Sequence, residues 1–430
     1  MIDIKLFRTD PELVKKSETL RGNDPKIVDE IIELDKEVRD LKTKSEELKA
    51  DLNKKSKSIA TLPNGDEKLA ILAETKELSK TSKEAAAKTT QLEETLNELL
   101  YKVQNITTEA PEGGEDDYIV VKEIGNNDLA KNNTDTIRDH LEIGEKIDAI
   151  DSERGVKVSG SRFYYLKGIG ARLELALLNF AMDTALKNGF IPMITPTLVR
   201  PEIMKGTGFL GAHADEIYRL REPDEAYLVG TSEVALAGYH SDEIIELDSE
   251  KPLRYAGWSS CFRREAGSYG KDTRGIIRVH QFNKIEMFSY VAPEYAETEH
   301  KNLLALEEQI LTELGLPYRV IDTAAGDLGS SAARKFDCEA WLPSQNRYLE
   351  LTSTSNCTTF QARRLNIRYR PAQGDNDKTT TPVATLNGTL ATTRFLVAIL
   401  ENFQTADGGI TVPKPLQKYL DGLEVIEPTK

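Results

Sequence analysis

From Ile27 onward, apolar residues return at Ile27, Ile31, Leu34, Val38, Leu41, Leu48, Leu52, Ile59 and Leu62, in alternating steps of four and three with Ser45 and Lys55 filling the gaps. A seam of that period predicts a long helix packed along a partner helix. The turn residues Pro63, Asn64, Gly65 and Asp66 follow. A second seam then runs weakly through Leu78, Ser82, Ala85 and Thr89, and firmly through Leu92, Leu96, Leu99, Val103 and Ile106. Two long helices joined by so short a turn must lie antiparallel. Each predicted helix has about 38 residues, which at 1.5 Å per residue gives a hairpin of roughly 55–60 Å. Pro111, Gly113 and Gly114 end the periodicity, so the chain is expected to divide into a helical hairpin, 1–110, and a body, 111–430.

In the body, short strand-like runs alternate with helical ones. Strands are predicted at Tyr118–Val121, Ile191–Thr195, Ala226–Val229, Leu253–Cys261, Ile276–Phe282, Ile285–Tyr290, Tyr318–Ile321, Cys338–Leu342 and Arg347–Thr352. Helices are predicted over 170–188, 293–314 and 389–403. Hairpin-length connections favour a mainly antiparallel sheet flanked by helices, so the expected fold class is α+β.

Charge changes the picture of the hairpin. The chain has 430 residues, 39% of them hydrophobic, and a net charge of −15, so a general polyanion-binding coat is excluded and any nucleic-acid contact needs a local basic patch. Such a patch exists, because residues 49–88 carry a net +3 whereas 26–48 together with 89–104 carry −5. Lys49, Lys54, Lys55, Lys57, Lys80, Lys83 and Lys88 are therefore candidates for phosphate contacts by counterion release. A solvated coiled coil, or one that pairs with another protein, is the alternative. Cys261, Cys338 and Cys357 have neither C-x-x-C spacing nor a nearby histidine set, so no disulfide framework or zinc site is indicated. The N-terminus lacks a signal-peptide core and no apolar run approaches membrane length, which places the protein in the cytoplasm as an expectation.

The candidate chemistry lies in four segments. There is no G-x-x-x-x-G-K-[ST] loop and no complete G-x-G-x-x-G. Between Trp258 and Phe288, two apolar runs flank a glycine-rich basic stretch. Arg263 and Glu265 are two apart, as are Phe282, Lys284 and Glu286, so each set is expected on one sheet face. A guanidinium, an aromatic plate and two carboxylates suit a ligand with phosphates, a flat base and an ammonium group; an exposed salt-bridged hairpin is the alternative. Thr231, Ser232 and Glu233 follow a strand and either cap the next helix or line a site. The predicted strand alternates, so Glu350 and Thr352 are expected to share a face among hydroxyls, an oxygen cage fit for Mg²⁺. Arg394 enters a very apolar helix, where a cation is costly without an anionic partner.

These segments, in this order, resemble the class II aminoacyl-tRNA synthetases, and within them the seryl-tRNA synthetase family. The first motif is similar to Glu174–Leu198, the second to the Phe262-Arg263-Arg264-Glu265 hairpin, and the third to the helix at Asn387–Asn402. The Thr231-Ser232-Glu233 triplet, the phrase from Lys157 to Gly168, the long second-motif loop and the N-terminal hairpin point to serine. The resemblance covers essentially the whole chain. It implies ATP-dependent ligation of L-serine to tRNA(Ser) through a seryl-adenylate, and serylation of tRNA(Sec) where that tRNA is present. It further implies a homodimer in which the hairpin of one subunit reaches tRNA bound at the other. Carried over, Arg263, Glu350 and Arg394 are the catalytic set. ATP would be held by Arg263, Arg264, Glu265, Val279, Phe282, Glu350, Leu351, Thr352, Ser353 and Arg394, with Mg²⁺ on Glu350 and Ser353. Serine would be held by Thr231, Ser232, Glu233, Arg263, Glu286, Asn387 and Thr389. The third motif reads N-G-T-L-A-T-T-R, one residue shorter than the usual N-G-S-G-L-A-x-G-R, which leaves both Asn387 and Thr389 open as partners of the serine hydroxyl. Two other readings compete: a synthetase-like ligase charging a carrier protein, and a non-catalytic coiled-coil paralogue.

Overall fold

The computed structural model describes residues 1–59, 63–107, 109–125, 137–211, 214–248, 251–266, 274–371 and 379–429, and of residue 67 the backbone alone. Two compact units are present, Met1–Ile106 and Thr107–Lys430. Residues 60–62 and 267–273, within the hairpin turn and the second-motif loop, lie outside the described residues.

The first unit holds α1 (Ile4–Thr9), α2 (Pro11–Leu20), α3 (Lys26–Ile59) and α4 (Asp66–Lys102). Asp3 and Asp10 cap the two short helices, and Pro11 opens α2 at the one position where its missing N–H is harmless. Apolar burial is concentrated near one end of the hairpin, at Val28, Ile31, Val38, Leu96, Leu100 and Val103. There Arg8 grips the buried Asp35 with two hydrogen bonds of 2.8 and 2.6 Å, and Arg39 adds a third at 3.0 Å. Further out, Ser82 and Thr89 are the buried positions of α4, which matches the weak stretch of its seam. Lys42–Glu93, Lys55–Glu74 and Lys88–Glu37 ion pairs bridge the two helices. Of the seven candidate lysines, Lys55 and Lys88 are thus engaged across the hairpin, while Lys49, Lys54, Lys57, Lys80 and Lys83 are exposed.

The second unit is built on an eight-stranded sheet among the described residues, with strands β1 (Ile119–Ile124), β2 (Ile191–Ile194), β3 (Leu253–Phe262), β4 (Gln281–Val291), β5 (Tyr318–Asp322), β6 (Arg334–Leu342), β7 (Arg347–Asn356) and β8 (Ala384–Thr392). Their order across the sheet is β1-β5-β6-β7-β8-β4-β3-β2, antiparallel except for the β3–β2 edge pair. The helices used below are α5 (His140–Lys146), α6 (Ile169–Lys187), α7 (Glu233–Gly238), α8 (Ala296–Leu314), α9 (Phe360–Arg364) and α10 (Arg394–Asn402). The expected α+β architecture, a long helical hairpin plus a mainly antiparallel sheet flanked by helices, is what the chain adopts. No helix among the described residues is long and apolar enough to cross a membrane.

Three sequence expectations are corrected. Ile276–Phe282 and Ile285–Tyr290 are not two strands; β4 runs unbroken from Gln281 to Val291, while Ile276–His280 is irregular, neither helix nor strand. Lys284, between the two predicted runs, is accommodated inside the strand by its ion pair with Glu286. The helix expected over 389–403 begins only at Arg394, because 384–392 pairs with β7 on one side and β4 on the other. Its β-branched Thr385, Thr389 and Thr392 favour the extended chain. Finally, Glu350 and Thr352 do not share a face. Cys338 pairs with Thr352 and Glu339 with Glu350, so Leu351 is an extra residue in β7. Such a bulge shifts the side-chain alternation, and the Thr352 hydroxyl turns to Glu307 on α8, at 2.7 Å.

Candidate active site

The bulge brings Glu350 and Ser353 to one cavity wall, facing residues from α7, β4, β6, β8 and α10. The cavity's larger lobe has a volume of about 530 Å³ and is lined by Thr231, Glu233, Arg263, Glu265, Arg278, Lys284, Glu286, Lys335, Glu350, Ser353, Ser355, Asn387 and Thr389, among others. The adjoining inner lobe shares Arg263, Glu265, Lys284, Glu350 and Thr389 with it, and adds Ile276, Ile277, Val279, Phe282, Leu351, Thr393 and Arg394. Of the residues singled out in the sequence, Ser232, Arg264 and Thr352 have side chains that are not brought to the cavity. Ser232 donates to the Gly257 carbonyl at 3.2 Å and makes no capping bond; Arg264 is exposed.

Arg263 lies just past the end of β3, its guanidinium carbon 5.4 Å from the Phe282 ring centroid. Its main chain is fixed by Arg263 N–H to His280 O at 3.1 Å and by His280 Nδ1 donating back to Arg263 O at 3.0 Å. Glu265 has φ 51, a left-handed backbone that non-glycine residues seldom adopt without compensation; its carboxylate lies 3.5 Å from Arg278. Arg394, at the first turn of α10, donates to the Ile277 carbonyl and the Glu350 carbonyl, both at 3.2 Å, and faces the Glu350 carboxylate at 3.7 Å.

Like charges crowd this lobe. Burial, and then the neighbouring Arg263 and Arg278, pull the Arg394 guanidinium below its ordinary pKa despite the opposing Glu350. Burial would raise the Glu350 carboxyl, but Arg394, Lys335, Arg263 and Arg278 outweigh it and hold Glu350 ionised. Three guanidiniums around a recess repel one another until an anion enters. Although set within the protein, Glu350 leaves 47% of its side chain accessible at the cavity it lines, and with the Ser353 hydroxyl it offers hard oxygen donors, a set that fits a divalent cation such as Mg²⁺.

The deeper wall is a buried relay. Lys284 Nζ meets Glu286 Oε2 at 2.6 Å, with the side chains 6% and 2% exposed, and Thr389 Oγ1 donates to the same oxygen at 3.3 Å. Gln361 on α9 donates to Glu233 at 2.8 Å and accepts from Thr385 Oγ1 at 2.8 Å. Burial, then the nearby Glu286, pushes the Glu233 carboxyl up from 4.5 to about 7. The unfolded chain loses that proton near 4.5 while the folded chain keeps it to about 7, so this group's contribution to stability falls as pH rises through that window. The Glu233→Gln variant is therefore expected to gain stability relative to the parent between pH 5 and 8; parallel urea-unfolding midpoints across that range would contradict it.

Sequence reasoning missed Arg278, Lys335 and Gln361. The first two stand in alternating charged runs that read equally well as exposed strand, and Gln361 carried no signal, since its role appears only when α9 packs beside α7.

A mainly antiparallel sheet flanked by helices, with an arginine from a strand end and another from a late helix on one cavity, defines a class II aminoacyl-tRNA synthetase core. Residues 218–403 accordingly match the family described as "tRNA synthetase class II core domain (G, H, P, S and T)", and residues 1–107 match "Seryl-tRNA synthetase N-terminal domain". Serine–tRNA ligase of Bifidobacterium animalis subsp. lactis is 58% identical, covering 100% of this chain and 99% of the relative, and that of Paenarthrobacter aurescens is 60% identical over 99% of each. Among solved structures, seryl-tRNA synthetase from Pyrococcus horikoshii complexed with ATP superposes with a TM-score of 0.91 at 38% identity, covering 100% of both chains. This chain belongs to the seryl-tRNA synthetase family.

Proposed function

We propose that the protein activates L-serine with ATP and transfers it to tRNA(Ser), and to tRNA(Sec) where that tRNA is present. The observation that carries this reading is one cavity in which Arg394 lines the inner lobe, Arg278 the larger lobe and Arg263 both, with Thr231, Glu233, Lys284 and Glu286 on the larger lobe's wall. An anion-seeking lobe next to a carboxylate-rich one suits a triphosphate beside an ammonium-bearing substrate. The ATP complex of the Pyrococcus horikoshii relative supports ATP as the nucleotide.

In the reaction, a serine carboxylate oxygen attacks the α-phosphorus, the bond to the bridging oxygen breaks and pyrophosphate leaves. The terminal 3′-hydroxyl of tRNA then attacks the acyl carbon and releases AMP. Arg263 grips the α-phosphate and orients the serine carboxylate, while Arg394 takes the far phosphate. Phe282 and Val279 pack on the adenine, with Glu265 accepting from its amino group. Thr231, Glu233 and Glu286 receive the serine ammonium, and Asn387 or Thr389 meets its hydroxyl. Mg²⁺, held by Glu350 and Ser353, would neutralise phosphate charge. Much of the rate then comes from holding the two reactants in line and from fixed positive charge. A cytoplasmic homodimer completes the proposal; the exposed Leu175, Ile191 and Ile194, 57%, 50% and 80% accessible, support a self-association face.

The test is serine-dependent ATP–pyrophosphate exchange followed by tRNA serylation. Absence of exchange favours the non-catalytic paralogue, and exchange without tRNA charging favours the carrier-protein ligase. Alanine in place of serine is expected to lower kcat/KM for exchange by at least about 10³-fold, because a pocket built to bond a hydroxyl is left with unpaired groups. Comparable rates with the two amino acids would refute the assigned pocket.

A further inference from the structure

Ile276 and Ile277 form one wall of the inner lobe, in a stretch without helix or strand. Lacking a ladder, this segment must find partners elsewhere for its buried main-chain polar groups. The Ile277 carbonyl accepts from Arg394 Nε at 3.2 Å, and the Ile276 N–H donates to His140 Nε2, also at 3.2 Å. His140 opens α5 and is 2% exposed. Because Nε2 accepts, the ring proton sits on Nδ1, which donates to Glu401 Oε1 at 3.2 Å. Glu401 is fully buried near the end of α10, the helix that begins with Arg394, and it also accepts from the His140 N–H, the Ser344 N–H and the Ser344 hydroxyl. One end of α10 therefore holds Ile277, and its other end, through His140, holds Ile276.

The fit around the ring is close. A Cβ built on Gly275, whose φ is +79, would lie 1.9 Å from His140 Nε2. One residue earlier, Arg274 pairs with Asp139 at 3.3 Å and Glu142 at 3.4 Å, flanking the same ring.

Resting on the ATP reading above, we infer that His140 is a positioning residue for nucleotide binding: with Glu401 it fixes the Ile276–Ile277 wall, and through the Ile277 carbonyl it sets the direction of the Arg394 guanidinium. It acts through that wall and meets no reacting atom.

Two near-isosteric variants separate this role from a merely structural one. His140→Asn keeps a donor near the Nδ1 position and removes the acceptor for Ile276, whereas His140→Gln returns an amide oxygen near the Nε2 position. In serine-dependent exchange, His140→Asn is expected to raise KM for ATP about tenfold, the worth of one buried hydrogen bond, with KM for serine within about twofold; His140→Gln is expected to stay within about threefold of the parent. Gly275→Ala, which pushes on the ring without removing it, should shift KM for ATP in the same direction and decides the matter should His140→Asn fail to fold. An unchanged KM for ATP in the folded variants, or equal rises for ATP and serine alongside a fallen Tm, overturns the inference. A wild-type protein without exchange instead sinks the activity reading on which it rests.

Discussion

Alanine at position 263 is expected to cut kcat for serine-dependent exchange by about 10³-fold while moving KM for serine far less. The expectation follows from where Arg263 stands: its guanidinium lines both lobes, and its backbone is pinned on each side by His280. Loss of a single preorganised donor to developing charge costs of order 10²–10³-fold, and Arg263 supplies a bidentate, fully charged one. Lysine at the same position should recover only a small part, because it keeps the charge and loses the planar fork. Single-turnover adenylate formation measures this directly, and residual activity within tenfold of the parent would remove Arg263 from the proposed mechanism.

Shortening the hairpin is expected to separate the two half-reactions. The ion pairs Lys88–Glu37, Lys42–Glu93 and Lys55–Glu74 give the register of α3 against α4, so deleting 45–84 and closing the gap with a short glycine-containing turn removes matched lengths from both helices. The buried apolar contacts at Val28, Ile31, Val38, Leu96, Leu100 and Val103 are left intact. Exchange should stay within about twofold, whereas kcat/KM for tRNA serylation should fall by 10²-fold or more, since the lost lysines contribute a salt-dependent phosphate term. Serylation at parental efficiency would show that the hairpin does not recognise tRNA.

The elements read well from sequence were those whose pattern is local. Heptad spacing marked α3 and α4, and alternation marked most of the strands that β1 to β8 became. What escaped depended on partners distant in the chain. Nothing near Leu351 signals a bulge, yet that one extra residue separates Glu350 from Thr352 and moves Ser353 to the cavity. The shared face of Lys284 and Glu286 was legible from their spacing, but the contact that makes them a buried ion pair was not. Asn387 and Thr389 were placed near a helix start, since an apolar run of that length is compatible with either state until both flanking strands are known. His140 is the extreme case: Ile276 and Glu401 lie more than a hundred residues away from it, and no local pattern announces either.

Every one of the nine residues of β8 is buried, Asn387 and Thr389 among them, and behind Gly388 the strand packs directly on Glu307, Met287 and Thr354. The part of the pocket proposed to meet the amino acid is therefore the same material that holds the centre of the sheet. Retooling this scaffold for a bulkier amino acid by changing β8 alone should yield insoluble chains well before it yields a new preference, and a successful design would have to hollow out positions 287, 307 and 354 in the same step.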